Sequence, residues 1–550
     1  MNAYLHVWCV LIRRFMVALV LACVAVSGLA ASAAAYTEVT VNTKKGPVTG
    51  IQTDTLRKFL GIPYAAPPVG NLRWKAPRPH ASWKKTGPLD ATDFGNHCPQ
   101  PDSPFGTASE EEDCLYLNVF APIPPTDTTV RYPVMVWIHG GSLYLGQSDD
   151  YDPTRLVEQG VVVVTFNYRL GRLGFLSHWA LGKPHGNYGL LDQQFALKWV
   201  KKNIGRFGGK PKNVTIFGES AGALSVLSQL ASPKAKGLFR KAIVESGAYS
   251  LTQQSLYDAE LEGLTFAHKL KNSSDVPCDE LGVAKKDTAA CLRAASVGDV
   301  LTAQAQLLQQ EGSFGFYPIV DGKVLKRSIG EALSSGRFNK VPVIQGSNHD
   351  EWRLFVELMK QEDLLPSDYQ TAIAVTLKTT KAAQVAAEYP LTSYPSPSNM
   401  YALGALGTDA IFACNASTVA QSLSQYVKTF AYEFNDPNTP EIYLEPDPEF
   451  PLGAYHAGEI AYIFDFFRTQ PEWVTLPLLN GGQQALSDTM IGYWTQFAKT
   501  GDPNPSPDAP TWPQYEATTY ERASLVPVTP GVESESDFAT DHHCAFWKEF

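Results

Sequence analysis

The chain is sparing with charge, sulfur and repetition. Only 18% of its 550 residues are charged, acids outnumber bases 55 to 45, and no Lys/Arg-rich run interrupts the sequence. A surface built to track nucleic-acid phosphates is therefore excluded. Low-complexity tracts, heptads and repeats of about 20–50 residues are absent, which removes disorder, coiled coils and solenoids. No two cysteines have the C-x-x-C spacing of a zinc or redox site. Past the N-terminus, no stretch is apolar for long enough to span a bilayer. What remains is a large acidic globular protein, 44% hydrophobic, with material for an extensive core.

The N-terminus is the exception. Arg13 and Arg14 precede an apolar run from Phe15 to Val26, followed by small residues through Ala31-Ser32-Ala33 and Ala33-Ala34-Ala35. A basic region, a short apolar region and an A-x-A site predict a secretory signal peptide over 1–35, cut after Ala35 or Ala33. The alternatives are an uncleaved anchor and lipid attachment at Cys23. The mature chain, 36–550, is then expected as a single catalytic domain, secreted or periplasmic. Cys98, Cys114, Cys278, Cys291, Cys414 and Cys544 lie beyond the signal. An even set in an exported chain reads as disulfides, and sequence arithmetic leaves the pairing open.

Short alternating segments at Tyr36–Val41, Val48–Gln52 and Arg57–Ile62, separated by Gly and Pro, predict a small antiparallel sheet. The β-branched runs Val134–Ile138 and Val161–Phe166 predict strands buried on both faces, as in a mostly parallel sheet. Leu190–Asn203 has helical spacing, Val214–Phe217 reads as strand and Leu224–Leu230 as helix. Strand alternating with helix means α/β, with helices on both faces of a central sheet. The stretch 355–435 reads as mostly helical, and the Pro-rich stretch 501–513 as a surface loop.

Gly218-Glu219-Ser220-Ala221-Gly222 lies between the Val214–Phe217 strand and the following helix. A G-x-S-x-G in that context is a nucleophile elbow, a tight turn that projects Ser220 above the sheet. A serine hydroxyl needs a base, and the oxyanion it creates needs backbone donors. After Pro133–Ile138 comes His139-Gly140-Gly141-Ser142, whose amides can point into the site, and Ala221 adds another. His139 lies upstream of Ser220 and is read as structural within that turn.

With these come Glu112-Asp113-Cys114-Leu115-Tyr116-Leu117-Asn118, Phe166-Asn167-Tyr168-Arg169 and Gly189-Leu190-Leu191-Asp192-Gln193, in order. The set resembles the type-B carboxylesterase family, the cholinesterase-like branch of the α/β-hydrolases, from Gly61 to Trp547. The resemblance implies an α/β-hydrolase fold and a Ser–Glu–His triad. Gly346-Ser347-Asn348-His349-Asp350-Glu351-Trp352 matches the family's acid loop, making Glu351 the acid, with Trp352 departing from the usual glycine. Gly453-Ala454-Tyr455-His456-Ala457-Gly458-Glu459 matches the histidine pattern, making His456 the base. His349, His542 and His543 are read as surface residues. The oxyanion hole falls on Gly141, Ser142 and Ala221, with Ser142 where cholinesterases carry a third glycine.

The same resemblance pairs Cys98–Cys114, Cys278–Cys291 and Cys414–Cys544. It gives Phe314 and Phe316 as an aromatic acyl wall, with plain core as the alternative; Trp352, a departure from the family, is expected to reshape the loop beneath the pocket and to line the substrate site. The Cys98–Cys114 loop is much shorter than in cholinesterases and contains no tryptophan, so the usual platform for choline is missing. The expectation is an exported carboxylesterase acting on small esters, with no cofactor, no metal and no nucleic-acid partner. Oligomeric state is not readable. The competing readings are a non-catalytic adhesion relative of the same fold, and a lipase with a lid.

Overall fold

The computed structural model describes residues 36–126, 129–182, 186–271, 277–278, 284–311, 315–359, 366–444, 448–466, 479–505 and 510–550. The signal-peptide reading and Phe314 therefore lie outside the described residues.

The strands are β1 (Thr37–Asn42), β2 (Pro47–Gln52), β3 (Leu56–Pro63), β4 (Leu89–Asp90), β5 (Tyr116–Pro122), β6 (Tyr132–Ile138), β7 (Tyr151–Asp152) and β8 (Val162–Phe166). They continue with β9 (Gly209–Glu219), β10 (Lys241–Glu245), β11 (Val343–Asn348), β12 (Thr429–Phe434), β13 (Asp465–Phe466), β14 (Glu521–Leu525) and β15 (Gly531–Ser534). One sheet takes all but β7 and β13, in the order β1-β2-β3-β5-β8-β6-β9-β10-β11-β12-β14-β15, with β4 on β2. From β8 to β14 every pairing is parallel; the pairings from β1 to β8 are antiparallel. The N-terminal antiparallel strands are thus one wing of the main sheet.

Composition follows this division. Strands β6 and β8 are almost continuously apolar, and all of β8, β10 and β11 is buried, because helices cover both faces of the parallel part. The helices Tyr188–Asn203 and Ala221–Ala231 lie on one side, in a core with Val136, Val164 and Ile216. Helix Gly481–Thr500 lies on the other, in a core with Met135, Trp137 and Phe217. Alternate residues of a strand face opposite sides, which is why neighbours such as Met135 and Val136 fall in different cores. Between residues 366 and 424 the chain is mostly helical, and Ile373, Leu403 and Phe412 share a core cluster with Leu354.

Three of the motifs prove to be structural. Arg169 meets Asp192 in a buried bidentate pair (2.7 and 2.8 Å), joining the strand-end and helix motifs, and Glu112 takes the Arg73 guanidinium. Buried ion pairs of this kind specify alignment more than they stabilise. Disulfides join Cys98–Cys114, Cys278–Cys291 and Cys414–Cys544. The stretch 501–513 differs from a plain surface loop: Trp512 is buried in the core, its Nε1–H donating to the Ala431 carbonyl at 2.8 Å. A Pro-rich segment is pinned wherever one large apolar ring finds a partner. Among the described residues no helix is long and apolar enough to cross a membrane.

Candidate active site

Strand β9 ends at Glu219 and the helix starts at Ala221, leaving Ser220 alone in the turn. Its backbone is forced to φ 52°, ψ −121°, a region costly for a residue with a side chain. The flanking glycines make that turn possible. A Cβ on Gly222 would stand 1.8 Å from the Ile138 carbonyl oxygen, and one on Gly218 2.5 Å from the same atom. Helix, β6 and β9 close on one another only because both positions are bare.

The turn after β6 lies beside the elbow. Gly141, Ser142 and Leu143 all have positive φ (92°, 56° and 54°). A Cβ on Gly141 would lie 2.3 Å from the Leu145 carbonyl oxygen. Among the described residues, the amides of Gly141, Ser142 and Ala221 make no hydrogen bond. Gly141, Ser142 and Ser220 line one cavity, so this is a set of free donors around the serine. Ser142 is held from behind by the Phe316 N–H on its carbonyl (2.9 Å). His139 faces away: its ring stacks on Tyr168 (4.4 Å between centroids), and burial lowers it to about 4. It keeps the structural place read for it.

Opposite Ser220, the loops after β11 and around residue 456 meet. Glu351 Oε2 lies 2.5 Å from His456 Nδ1, and Glu351 Oε1 accepts the Asn348 N–H at 2.9 Å. Glu351 is fully buried and His456 nearly so. The imidazole is flanked by the rings of Phe412 (4.9 Å) and Phe355 (5.1 Å). Its Nε2 is 3.2 Å from Glu219 Oε1 and makes no hydrogen bond to Ser220 among the described residues. Such contacts commonly tighten only with substrate in place.

Three further carboxyls crowd this side. Burial, then the charges of Glu459, Glu351 and Glu245, push Glu219 well up. Burial and Glu459 do the same to Glu245, which accepts the Trp494 N–H at 3.0 Å. Glu459 is raised to about 8 by burial and by Glu351, against the pull of its Asn348 hydrogen bond (2.5 Å). Buried carboxyls that raise one another in this way disfavour ionising together.

Two cavities open on Ser220. One, about 230 Å³, runs past Gly141, Glu219 and His456 to an aromatic wall of Phe105 and Tyr443, 5.0 Å apart. The other, about 440 Å³, is lined by Tyr249, Leu308, Trp352, Ile411 and Phe412. Ser142, Ser220 and Phe355 border both. The ring of Trp352 stacks on Phe355 (4.5 Å). It occupies space left by Gly407, where a Cβ would sit 2.2 Å from the indole. The glycine missing from the acid loop has a counterpart across the pocket.

The carboxylesterase family model matches residues 37–547. The chain belongs to the carboxylesterase family, and it is a carboxylic ester hydrolase. It is 37% identical over 504 residues to a para-nitrobenzyl esterase of Bacillus subtilis (strain 168), covering 88% of this chain and 94% of that one. Among solved structures it is similar to a PNB esterase (TM-score 0.72, 35% identity, 92% of this chain and all of the other). A thermophilic PNB esterase is comparably similar (TM-score 0.74, 34% identity, 92% of this chain and all of the other).

Most of the residues expected from sequence in this esterase converge on one place: Ser220, Glu351, His456, Gly141, Ser142, Ala221 and Trp352. Phe316 does not line either cavity. It is buried beneath the turn after β6, 5.8 Å from the Tyr144 ring and under the Arg172 guanidinium, a core position. The histidines read as surface residues are otherwise engaged. His542 is buried between Asp409 and Glu433, His349 is partly buried between Asp350 and Asp541, and His543 pairs with Glu388. Sequence reading missed Glu219, Glu459, Phe355 and Phe412. The first two stand inside quoted motifs, one and three residues from Ser220 and His456 respectively, and that proximity was the available signal.

Proposed function

We propose that this esterase cleaves its substrates through an acyl-enzyme on Ser220. His456 takes the Ser220 proton as the hydroxyl attacks the ester carbonyl, and returns it to the departing alcohol. Glu351 fixes the imidazole tautomer and stabilises the imidazolium that forms. The amides of Gly141, Ser142 and Ala221 receive the oxyanion, costing no reorganisation because the strained turn already aims them. Water activated by the same histidine then releases the acid. The observation that carries this reading is the buried 2.5 Å contact of Glu351 with His456 Nδ1, which leaves Nε2 directed to the cavity of Ser220.

The reading extends to an exported protein, supported by the three disulfides and the basic-apolar N-terminus. It takes 36–550 as one catalytic unit, in keeping with one continuous sheet and the extent of the family match. Its substrates are neutral esters. Phe105 and Tyr443 stand where a choline platform would be needed, neither is the stronger tryptophan, and Glu219 is held toward its neutral form. Hydrolysis of p-nitrophenyl butyrate by wild type and Ser220→Ala tests the mechanism. Activity must vanish in a variant that keeps its circular dichroism, and near wild-type turnover would refute the assignment.

A further inference from the structure

The loops that bring Glu351 to His456 are laced together next to that contact. The Asp350 N–H donates to the Ala454 carbonyl and the Ala454 N–H to Asp350 Oδ2, both at 3.0 Å. Asn348 Nδ2 donates to the Tyr455 carbonyl at 2.8 Å. Gly453, at φ 64°, permits this approach, since a Cβ there would lie 2.2 Å from Asp350 Oδ2. The second oxygen of Asp350 takes Arg353 at 2.7 Å and His349 Nδ1 at 3.1 Å. The chain neighbour of Glu351 is therefore the knot between the acid loop and the base loop.

From that knot a file of polar contacts leaves the pocket. His349 Nε2 lies 3.0 Å from Asp541 Oδ2. The next residue, His542, is buried with Nδ1 2.6 Å from Asp409 and Nε2 2.7 Å from Glu433. Tyr389 donates to the other oxygen of Asp409 at 2.7 Å. Two residues on, Cys544 is bonded to Cys414. His349, Asp541 and His542 are close enough together to hold a metal ion. A metal needs an imidazole lone pair, however, and each ring here has a carboxylate on both nitrogens. Those carboxylates outweigh burial and raise His349 to about 11 and His542 to about 10, so both rings act as donors.

We propose that His349 and the segment Asp541–His542 are positioning residues for the catalytic acid: through Asp350 they hold the Glu351 loop in register with His456. The proposal rests on the Ser220–Glu351–His456 reading. The physical requirement is strict, because misplacing a catalytic group by about 1 Å costs on the order of a hundredfold. The contacts of His349 and Asp541 add to those that Asp350 makes with Ala454 and Arg353.

The test compares His349→Gln, Asp541→Asn and Asp541→Glu with Glu351→Gln, on p-nitrophenyl butyrate, rates being expressed per folded enzyme from thermal melts. The proposal expects kcat to fall about three- to thirtyfold in His349→Gln and Asp541→Asn, with KM within twofold and partial recovery in Asp541→Glu. The acid limb of the kcat/KM profile should also move to lower pH, since a misplaced Glu351 stabilises the His456 imidazolium less. A clasp of purely structural importance would lower Tm and leave kcat per folded molecule and the acid limb unmoved; that result overturns the proposal. Should His349→Gln not fold, Asp541→Asn, altered at an exposed side chain, decides alone. A Glu351→Gln enzyme with wild-type kcat would instead overturn the acid assignment, so the two failures are distinguishable.

Discussion

The two walls of the pocket are held by different forces. The serine wall, from Gly140 to Leu143 and Gly218 to Gly222, is backbone against backbone, fixed by bare glycines and positive φ between adjacent parallel strands. The wall proposed to carry acid and base is held by side chains: Glu351, Asn348 and Asp350 are hydrogen-bonded to the loop of His456 and Glu459, over a hundred residues away in sequence. Steric fixing is nearly independent of pH, whereas polar lacing is titratable. The first tolerates no added atom, and the second tolerates no lost charge or partner.

The largest effect should come from the serine wall. Ser220→Ala is expected to lose on the order of 10⁶ in kcat while keeping its melting temperature, by steady-state assay and calorimetry. On the other wall, Glu351→Gln should cost about 10²–10⁴, because histidine and oxyanion donors remain. Asp350→Asn should cost less than Glu351→Gln, since it holds the acid's loop without meeting the imidazole. The reverse order would transfer the acid role.

Stability effects are smaller and fall on the acid–base side. Opening Cys414–Cys544 by double serine substitution should cost about 2–4 kcal/mol in denaturant melts, because it frees the segment that reaches His349. Thiol titration of the denatured, unreduced mature chain (36–550), with two or more reactive thiols, would contradict the disulfide framework. Glu459 gives a pH signature. Its carboxyl titrates near 8 when folded against an ordinary 4.5, so the folded chain keeps a proton that the unfolded chain has released. Its contribution to stability therefore declines as pH rises between those values. Glu459→Gln should flatten that part of the stability–pH curve; an unchanged slope would show the group to be ionised throughout. The smallest effect concerns substrate choice. Butyrylthiocholine and an uncharged thioester of matched length should differ less than tenfold in kcat/KM at physiological salt, and a larger preference would show that Phe105, Tyr443 or Tyr249 forms a cation site.

The same contrast explains what the sequence could disclose. Strands β6, β8 and β9, the elbow and the turn after β6 were legible because each is a short contiguous pattern of residue types. The proposed roles of Glu351 and His456 rest on family resemblance, since nothing local distinguishes Glu351 from Asp350 or His456 from His349. The engagement of His542, the burial of Trp512 and the retreat of Phe316 into the core depend on partners distant in sequence, and periodicity carries no record of them. The pairing of Trp352 with Gly407 is of the same kind: a large residue and its vacancy lie more than fifty positions apart.

One measurement bears most directly on the central claim that both walls serve a single nucleophile. The enzyme is inactivated with a p-nitrophenyl alkylphosphonate, which needs an activated serine and an oxyanion hole to react, and the modified peptide is mapped by mass spectrometry. The account predicts one phosphonyl group per chain, on Ser220, with reaction slowed in Glu351→Gln. Inactivated enzyme carrying its label on any other residue would contradict it.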